Sequence, residues 1–152
     1  MMTKRPMAPA ERTLTAMLSP FGGEEKGTTG LLLLALRAGP DALRPVERLV
    51  VLGRSLELGR ARPDETGEPG RLPLPDPLMS GRHARLERAD EGYRLEDLGS
   101  KNGTFVEGQR LTGGVVLRGG ERLFLGGHVF VFRLVTAAQL EDIRAELAVL
   151  YL

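Results

Sequence analysis

The segment Ser80–Phe105, SGRHARLERADEGYRLEDLGSKNGTF, constrains this chain more than any other. It reads as two short strands, His83–Arg88 and Tyr93–Asp97, joined by the turn-forming run Ala89-Asp90-Glu91-Gly92. A polar loop flanks each strand: Ser80-Gly81-Arg82 precedes the first, and Gly99-Ser100-Lys101-Asn102-Gly103 follows the second. Antiparallel strands joined by a tight turn place the start of one beside the end of the other. The two polar loops are therefore expected to meet at one end of a sheet. Together they offer a hydroxyl, an amide, cations and flexible backbone, which suits an anion beside an extended peptide.

Short strand patterns continue on both sides. Leu31–Arg37 (LLLLALR) lacks polar alternation, as in a strand buried on both faces, although the run is too short to exclude a helix on pattern alone, and Gly39-Pro40-Asp41 breaks it. Pro45–Leu52 and Ser55–Gly59 follow, the second with Leu56 and Leu58 on one face. Ala61–Gly70 (ARPDETGEPG) is a loop, and Leu72-Pro73-Leu74 is a short strand at most, since proline lacks the ladder donor. After the central hairpin come Thr104–Val106 and Gln109–Leu111 around Glu107-Gly108, then Val115–Leu117, Arg122–Leu125 and Val129–Val135. Glutamate is less comfortable than asparagine at the left-handed position this hairpin turn needs. About eleven short strands separated by turn signals predict an all-β fold, a two-sheet β-sandwich. Glycine (20) and proline (10) make about a fifth of the chain, against a usual share of about an eighth, as many turns require.

The two ends differ from this middle. Residues 1–29 mix Pro, Gly, Thr and charges with little periodicity and are expected to form a flexible N-terminal tail, with docking or a helical turn at Leu14, Met17 and Leu18 as the alternative. The sandwich is expected over 30–135. Over 136–152, Thr136-x-x-Gln139 fits a capping box, and Leu140, Ile143, Leu147 and Leu150 fall at 3-4-3 spacing. This predicts a C-terminal amphipathic helix of about four turns, or the start of a linker.

Composition narrows the function classes. Lys+Arg 21 against Asp+Glu 20 gives a net charge of +1, without the basic excess of a nucleic-acid binder. With no cysteine and two histidines, neither a disulfide framework nor a metal site is expected. Leu31–Leu36 is too short to cross a bilayer, and Glu11 and Arg12 interrupt the apolar core a signal peptide would need. A cytoplasmic, membrane-free protein is the expectation. No paired carboxylates, nucleophile–base arrangement or phosphate-cradling loop emerges, so neither an enzyme nor a cofactor is expected.

Three motifs in order, Gly59-Arg60, Ser80-x-x-His83 and Ser100-x-Asn102-Gly103-Thr104, resemble the forkhead-associated (FHA) domain. The resemblance covers Leu31–Val135 and implies an FHA/SMAD-like β-sandwich that binds phosphothreonine in partner proteins. It gives Arg60 and Ser80 the phosphate contact, and Asn102 the ligand's main chain. A phosphothreonine carries nearly two negative charges and three acceptor oxygens, which suits such a donor set. His83 is implied to be scaffold that holds the serine loop, and Gly59 and Gly103 shape the backbone. Ser100 and Lys101 lie in the asparagine loop and are counted, with Arg82, among the candidate phosphopeptide contacts; Lys101 either adds a second cation or is solvated. Arg82 points either at the ligand or along the sandwich surface.

Some features depart from the family pattern. Leu-Gly-Arg occurs twice, at Leu52–Arg54 and Leu58–Arg60. Arg60 is preferred because it ends the better strand and lies nearer Ser80 in sequence. Gly81 stands where relatives often carry a basic or polar residue. The Ala61–Gly70 loop is long for the family and brings Arg62, but also Asp64, Glu65 and Glu68, which would repel an acidic ligand.

The leading expectation is a phosphothreonine-dependent peptide-binding module in Ser/Thr-kinase signalling, with a phosphothreonine protein or peptide as partner. A second is the regulatory N-terminal domain of a bacterial enhancer-binding transcription activator, with further domains C-terminal to it. A third is a phosphate-independent scaffold or dimer built on the helix stripe, which could equally cover the sandwich.

Overall fold

The computed structural model describes residues 27–36, 49–65 and 68–150, the last four by backbone only. The rest of the expected tail, 1–26, and the expected start of the second strand, 45–48, lie outside the described residues. Eleven strands and one helix follow in order: β1 (Thr28–Leu36), β2 (Leu49–Val51), β3 (Ser55–Arg60), β4 (Arg71–Leu74), β5 (Ala84–Ala89), β6 (Gly92–Asp97), β7 (Thr104–Val106), β8 (Gln109–Arg110), β9 (Val115–Leu117), β10 (Arg122–Leu125), β11 (His128–Thr136) and α1 (Ala137–Leu150). One sheet runs β2-β1-β11-β10-β7-β8 and the other β4-β3-β5-β6-β9. This is the two-sheet sandwich that the strand count predicts. One boundary moves: Thr28 and Thr29, assigned by sequence to the tail, pair with Thr136 and Val135 as the first residues of β1.

The core explains the unbroken leucine run. Leu32 is fully buried between the sheets with Leu56, Leu58, Leu86, Leu95, Leu123, Phe130 and Phe132. Its neighbour Leu31 faces the other way, into a second cluster with Leu49, Val135 and Ile143, against which Leu33 and Leu140 pack. β1 is thus apolar on both faces because α1 covers its outer one. Across the sandwich, Tyr93 meets Phe132 edge-on at 5.7 Å between ring centroids.

The capping box at the start of α1 is formed. Thr136 N–H donates to Gln139 Oε1 at 2.8 Å, and Gln139 N–H to Thr136 Oγ1 at 3.2 Å. Pro73 is tolerated because β4 is an edge strand. β4 runs parallel to β3, with Glu57 opposite Arg71 and Arg60 opposite Leu74. A parallel neighbour forces the chain to travel back along the sheet before re-entering it.

Glu107 adopts φ 51, the left-handed conformation its hairpin turn requires. Its carboxylate compensates by accepting from the Arg122 guanidinium at 2.9 Å, which holds its pKa below the ordinary value.

Candidate functional site

The strand register gathers the site at one end of the β3-β5-β6 sheet. Leu58 pairs with Ala84, and Ala84 with Asp97, so the end of β3, the start of β5 and the end of β6 lie side by side. Three segments emerge there: Arg60, the β4–β5 loop and the β6–β7 loop. The two polar loops of the central hairpin meet as the sequence predicts.

His83 joins them. It is fully buried, and its Nδ1 lies 3.1 Å from the Ser80 amide nitrogen, while its Nε2 lies 2.8 Å from the Gly103 carbonyl oxygen. An amide N–H can only donate, so Nδ1 accepts and Nε2–H donates, which assigns the tautomer. Ser80 makes a second link between the loops, its Oγ accepting from the Lys101 N–H at 2.9 Å. That bond leaves the hydroxyl proton of Ser80 for another acceptor. Asn102, exposed at the loop surface, donates from Nδ2 to the Leu78 carbonyl at 2.9 Å, a third tie between the two loops.

The β6–β7 loop is shaped by Asp97, which sequence reasoning did not single out. Its Oδ2 accepts from the N–H groups of Gly99 at 3.0 Å and Ser100 at 2.8 Å. Its Oδ1 accepts from the Ser100 hydroxyl and, at 2.7 Å, from the hydroxyl of fully buried Thr104. Burial pushes the Asp97 carboxyl up, but the bonds from Ser100, Thr104 and Gly99 outweigh it and hold its pKa below the ordinary value. An aspartate three residues before a serine in a Gly-rich turn is the available signal, since such side chains cap their own backbone.

Ser100, expected among the ligand contacts, sits inside this loop. It is 9% exposed, donates its hydroxyl to Asp97 and accepts the Gly103 N–H at 2.9 Å. Ser100 builds the loop from inside. Gly103, at φ 91, takes the left-handed turn that lets this bond form.

The β4–β5 loop has its own anchor in Asp76, 1% exposed. It accepts from the N–H groups of Leu78 at 2.9 Å and Gly127 at 2.7 Å, and from His128 Nδ1 at 2.9 Å. Burial raises its pKa, and these bonds outweigh it and bring it below the ordinary value.

The cations are distributed unevenly. Arg60 is exposed, its N–H donating to the Ser80 carbonyl at 2.9 Å and its Nη1 to the Met79 carbonyl at 3.0 Å. It therefore stands against the serine loop. Arg54 lies at the opposite end of β3, where its carbonyl accepts from Arg88 N–H and it borders a depression with Thr28, Thr29 and Tyr93. Of the two Leu-Gly-Arg motifs, only that of Arg60 adjoins Ser80. Arg82 turns along the sandwich surface, with Nε 3.1 Å from Glu57 Oε1. Lys101 is exposed beside Ser80. The side chain of Arg110 lies against Gly103, within 2.8 Å of where a Cβ would stand, a cation that the sequence motifs did not flag. Gly59 is required by close approach, since a Cβ there would fall 1.9 Å from the Gly81 carbonyl oxygen. Among the described residues, no group of His, Cys, Asp and Glu is placed to hold a metal ion, and no helix is long and apolar enough to cross a membrane.

Comparison with known proteins agrees with this geometry. The FHA-domain family model matches residues 50–126, just over half of the chain. The chain is similar to the FHA domain of the CT664 protein from Chlamydia trachomatis, at 23% identity and TM-score 0.54, over 68% of this chain and 95% of that one. It is also similar to the FhaA FHA domain complexed with the intracellular domain of Rv3910, at 25% identity and TM-score 0.52, over 68% and 99% of the two chains. A further FHA structure, from a study of phosphothreonine-dependent FHA domain interactions, matches at 25% identity and TM-score 0.52, over 69% and 95%. Among curated proteins no relative matches. The sandwich, its motif residues and the family match together place this chain in the forkhead-associated domain family.

Proposed function

We propose that this chain is a non-enzymatic module that binds phosphothreonine-containing peptides or proteins, with the mark written by a Ser/Thr kinase. One observation carries the reading: Ser80 Oγ accepts from the Lys101 N–H, which leaves its own proton free to donate, while the Arg60 guanidinium is held on the same loop by the Met79 carbonyl. Arg60 supplies charge, Ser80 a donor, and exposed Lys101 and Arg110 further positive potential over the same loops. Asn102, tied to Leu78, is set to meet the ligand's main chain. Arg82, a candidate contact by resemblance, is held along the sandwich surface by Glu57 and is not assigned a ligand contact. Relatives solved with a partner domain, or in work on phosphothreonine-dependent interactions, support the same assignment.

Three or four hydrogen bonds to a charged group, at about 1.5–3 kcal/mol each, exceed the ordering of a flexible peptide by a modest margin. Micromolar affinity, about −8 kcal/mol, is the expected scale. The test is a degenerate phosphothreonine peptide library titrated beside its dephosphorylated twin. Phosphate-dependent binding supports the module, and equal binding of the two libraries overturns it.

A further inference from the structure

Arg71 is the most heavily bonded cation near the site, yet its side chain is 4% exposed and cannot meet a ligand. It opens β4, and its guanidinium reaches four residues on three segments. Nε donates to Glu65 Oε2 at 2.5 Å in the β3–β4 loop. Nη1 donates to Glu57 Oε2 on β3 and to the Gly81 carbonyl in the β4–β5 loop, both at 3.1 Å. Nη2 donates to the Arg60 carbonyl at 2.9 Å and to Glu65 Oε1 at 3.4 Å. Only a planar fork of five donors serves so many acceptors at once.

Two of those acceptors flank the proposed phosphate contact. Arg60 is its cation, and Gly81 follows Ser80 directly. A Cβ at Gly59 would lie 2.8 Å from Arg71 Nη1 as well as 1.9 Å from the Gly81 oxygen, so the missing side chain is the space the clamp occupies. The carboxylates matter too. Glu65 is one of the loop acids expected to repel an anion, and its bond to Arg71 holds its pKa below the ordinary value. Glu57 is shared between Arg71 and Arg82. Two carboxylates and two guanidiniums thus balance beside the site, and removing Arg71 would leave uncompensated negative charge there.

We infer that Arg71 is a positioning residue for phosphopeptide capture: it fixes Arg60 and the Ser80-Gly81 segment in their binding arrangement, and screens Glu65, without touching the ligand. This rests on the phosphothreonine reading above. It also gives the long β3–β4 loop a role, since Glu65 ties that loop into the clamp. Preorganisation of this kind strengthens binding by ordering the loops before the ligand arrives.

The test compares wild type, Arg71→Gln and Arg71→Lys with the best phosphothreonine peptide, alone and combined with Ser80→Ala. Arg71→Lys keeps the charge balance and the aliphatic stem but loses the fork, so it reports positioning even if Arg71→Gln fails to fold. The expected result is about a tenfold weaker Kd for Arg71→Gln and about fivefold for Arg71→Lys in folded protein. Both losses should shrink in the Ser80→Ala background. Wild-type affinity in Arg71→Lys, or losses that add fully to that of Ser80→Ala, would overturn the inference. If wild type itself shows no phosphate dependence, the functional reading has failed. The positioning claim is then decided by the Arg60 and Gly81 amide resonances, which must shift in Arg71→Lys.

Discussion

The imidazole of His83 spans the two loops of the site, accepting the Ser80 N–H at Nδ1 and donating from Nε2 to the Gly103 carbonyl at 2.8 Å. Both bonds lie beneath the surface that Ser80 and Asn102 present. The residue shapes the site from below.

Replacing His83 by alanine leaves a buried donor and a buried acceptor unpaired and opens a cavity under the loops. The expected cost is about 3 kcal/mol of stability, read from the urea midpoint, together with weaker phosphopeptide binding. An unchanged midpoint would mean that the loops do not depend on this bridge.

The two serines of the motifs separate function from structure. Ser80→Ala should weaken phosphopeptide binding while changing stability little. Ser100→Ala removes a buried hydroxyl bonded to Asp97 and Gly103, and should cost about 1–2 kcal/mol of stability. Parallel calorimetric titration and thermal melts distinguish them, and the reverse pattern would exchange their roles.

Acid sensitivity follows from Asp76 and Asp97, both with pKa values below the ordinary carboxylate value. A depressed carboxylate contributes stability above its unfolded pKa, about 3.9, and loses it as pH falls through the lower folded value. Stability should therefore fall increasingly as pH drops below about 4. Asp97→Asn should be less stable at pH 7 and show a flatter decline, as measured by denaturant unfolding across pH 2.5–7. A wild-type slope in Asp97→Asn would contradict the assignment.

Ile143, 3% exposed, fastens α1 over Leu31, Leu49 and Val135. Ile143→Ala should cost about 2–4 kcal/mol by melting or urea titration. Phosphopeptide affinity should stay unchanged, because the helix lies over the other sheet.

Much of this fold was legible because period-two alternation and turn residues are local signals. The Asn102–Gly103 turn, the central hairpin and the Thr136–Gln139 capping box each lie within a few residues of chain. The leucine run of β1 was also readable as doubly buried, although what covers its outer face depends on the distant Ile143. The inner shell of the site was not legible. Asp97 and Arg71 look like ordinary surface charges until the fold brings the Thr104 hydroxyl to one and the Gly81 carbonyl to the other. The inward bonds of Ser100 are hidden for the same reason, since a hydroxyl in a polar loop carries no sign of which way it faces. The two Leu-Gly-Arg motifs are alike in sequence, and only the direction of β3 puts Arg60 against Ser80 and Arg54 at the far end.

The most direct test of the central claim is a titration of one phosphothreonine peptide onto wild type, Arg60→Ala and Arg54→Ala. The account predicts micromolar binding for wild type and Arg54→Ala, and a loss of about a hundredfold for Arg60→Ala, the scale of a charge-assisted phosphate contact. Binding kept by Arg60→Ala and lost by Arg54→Ala would contradict it.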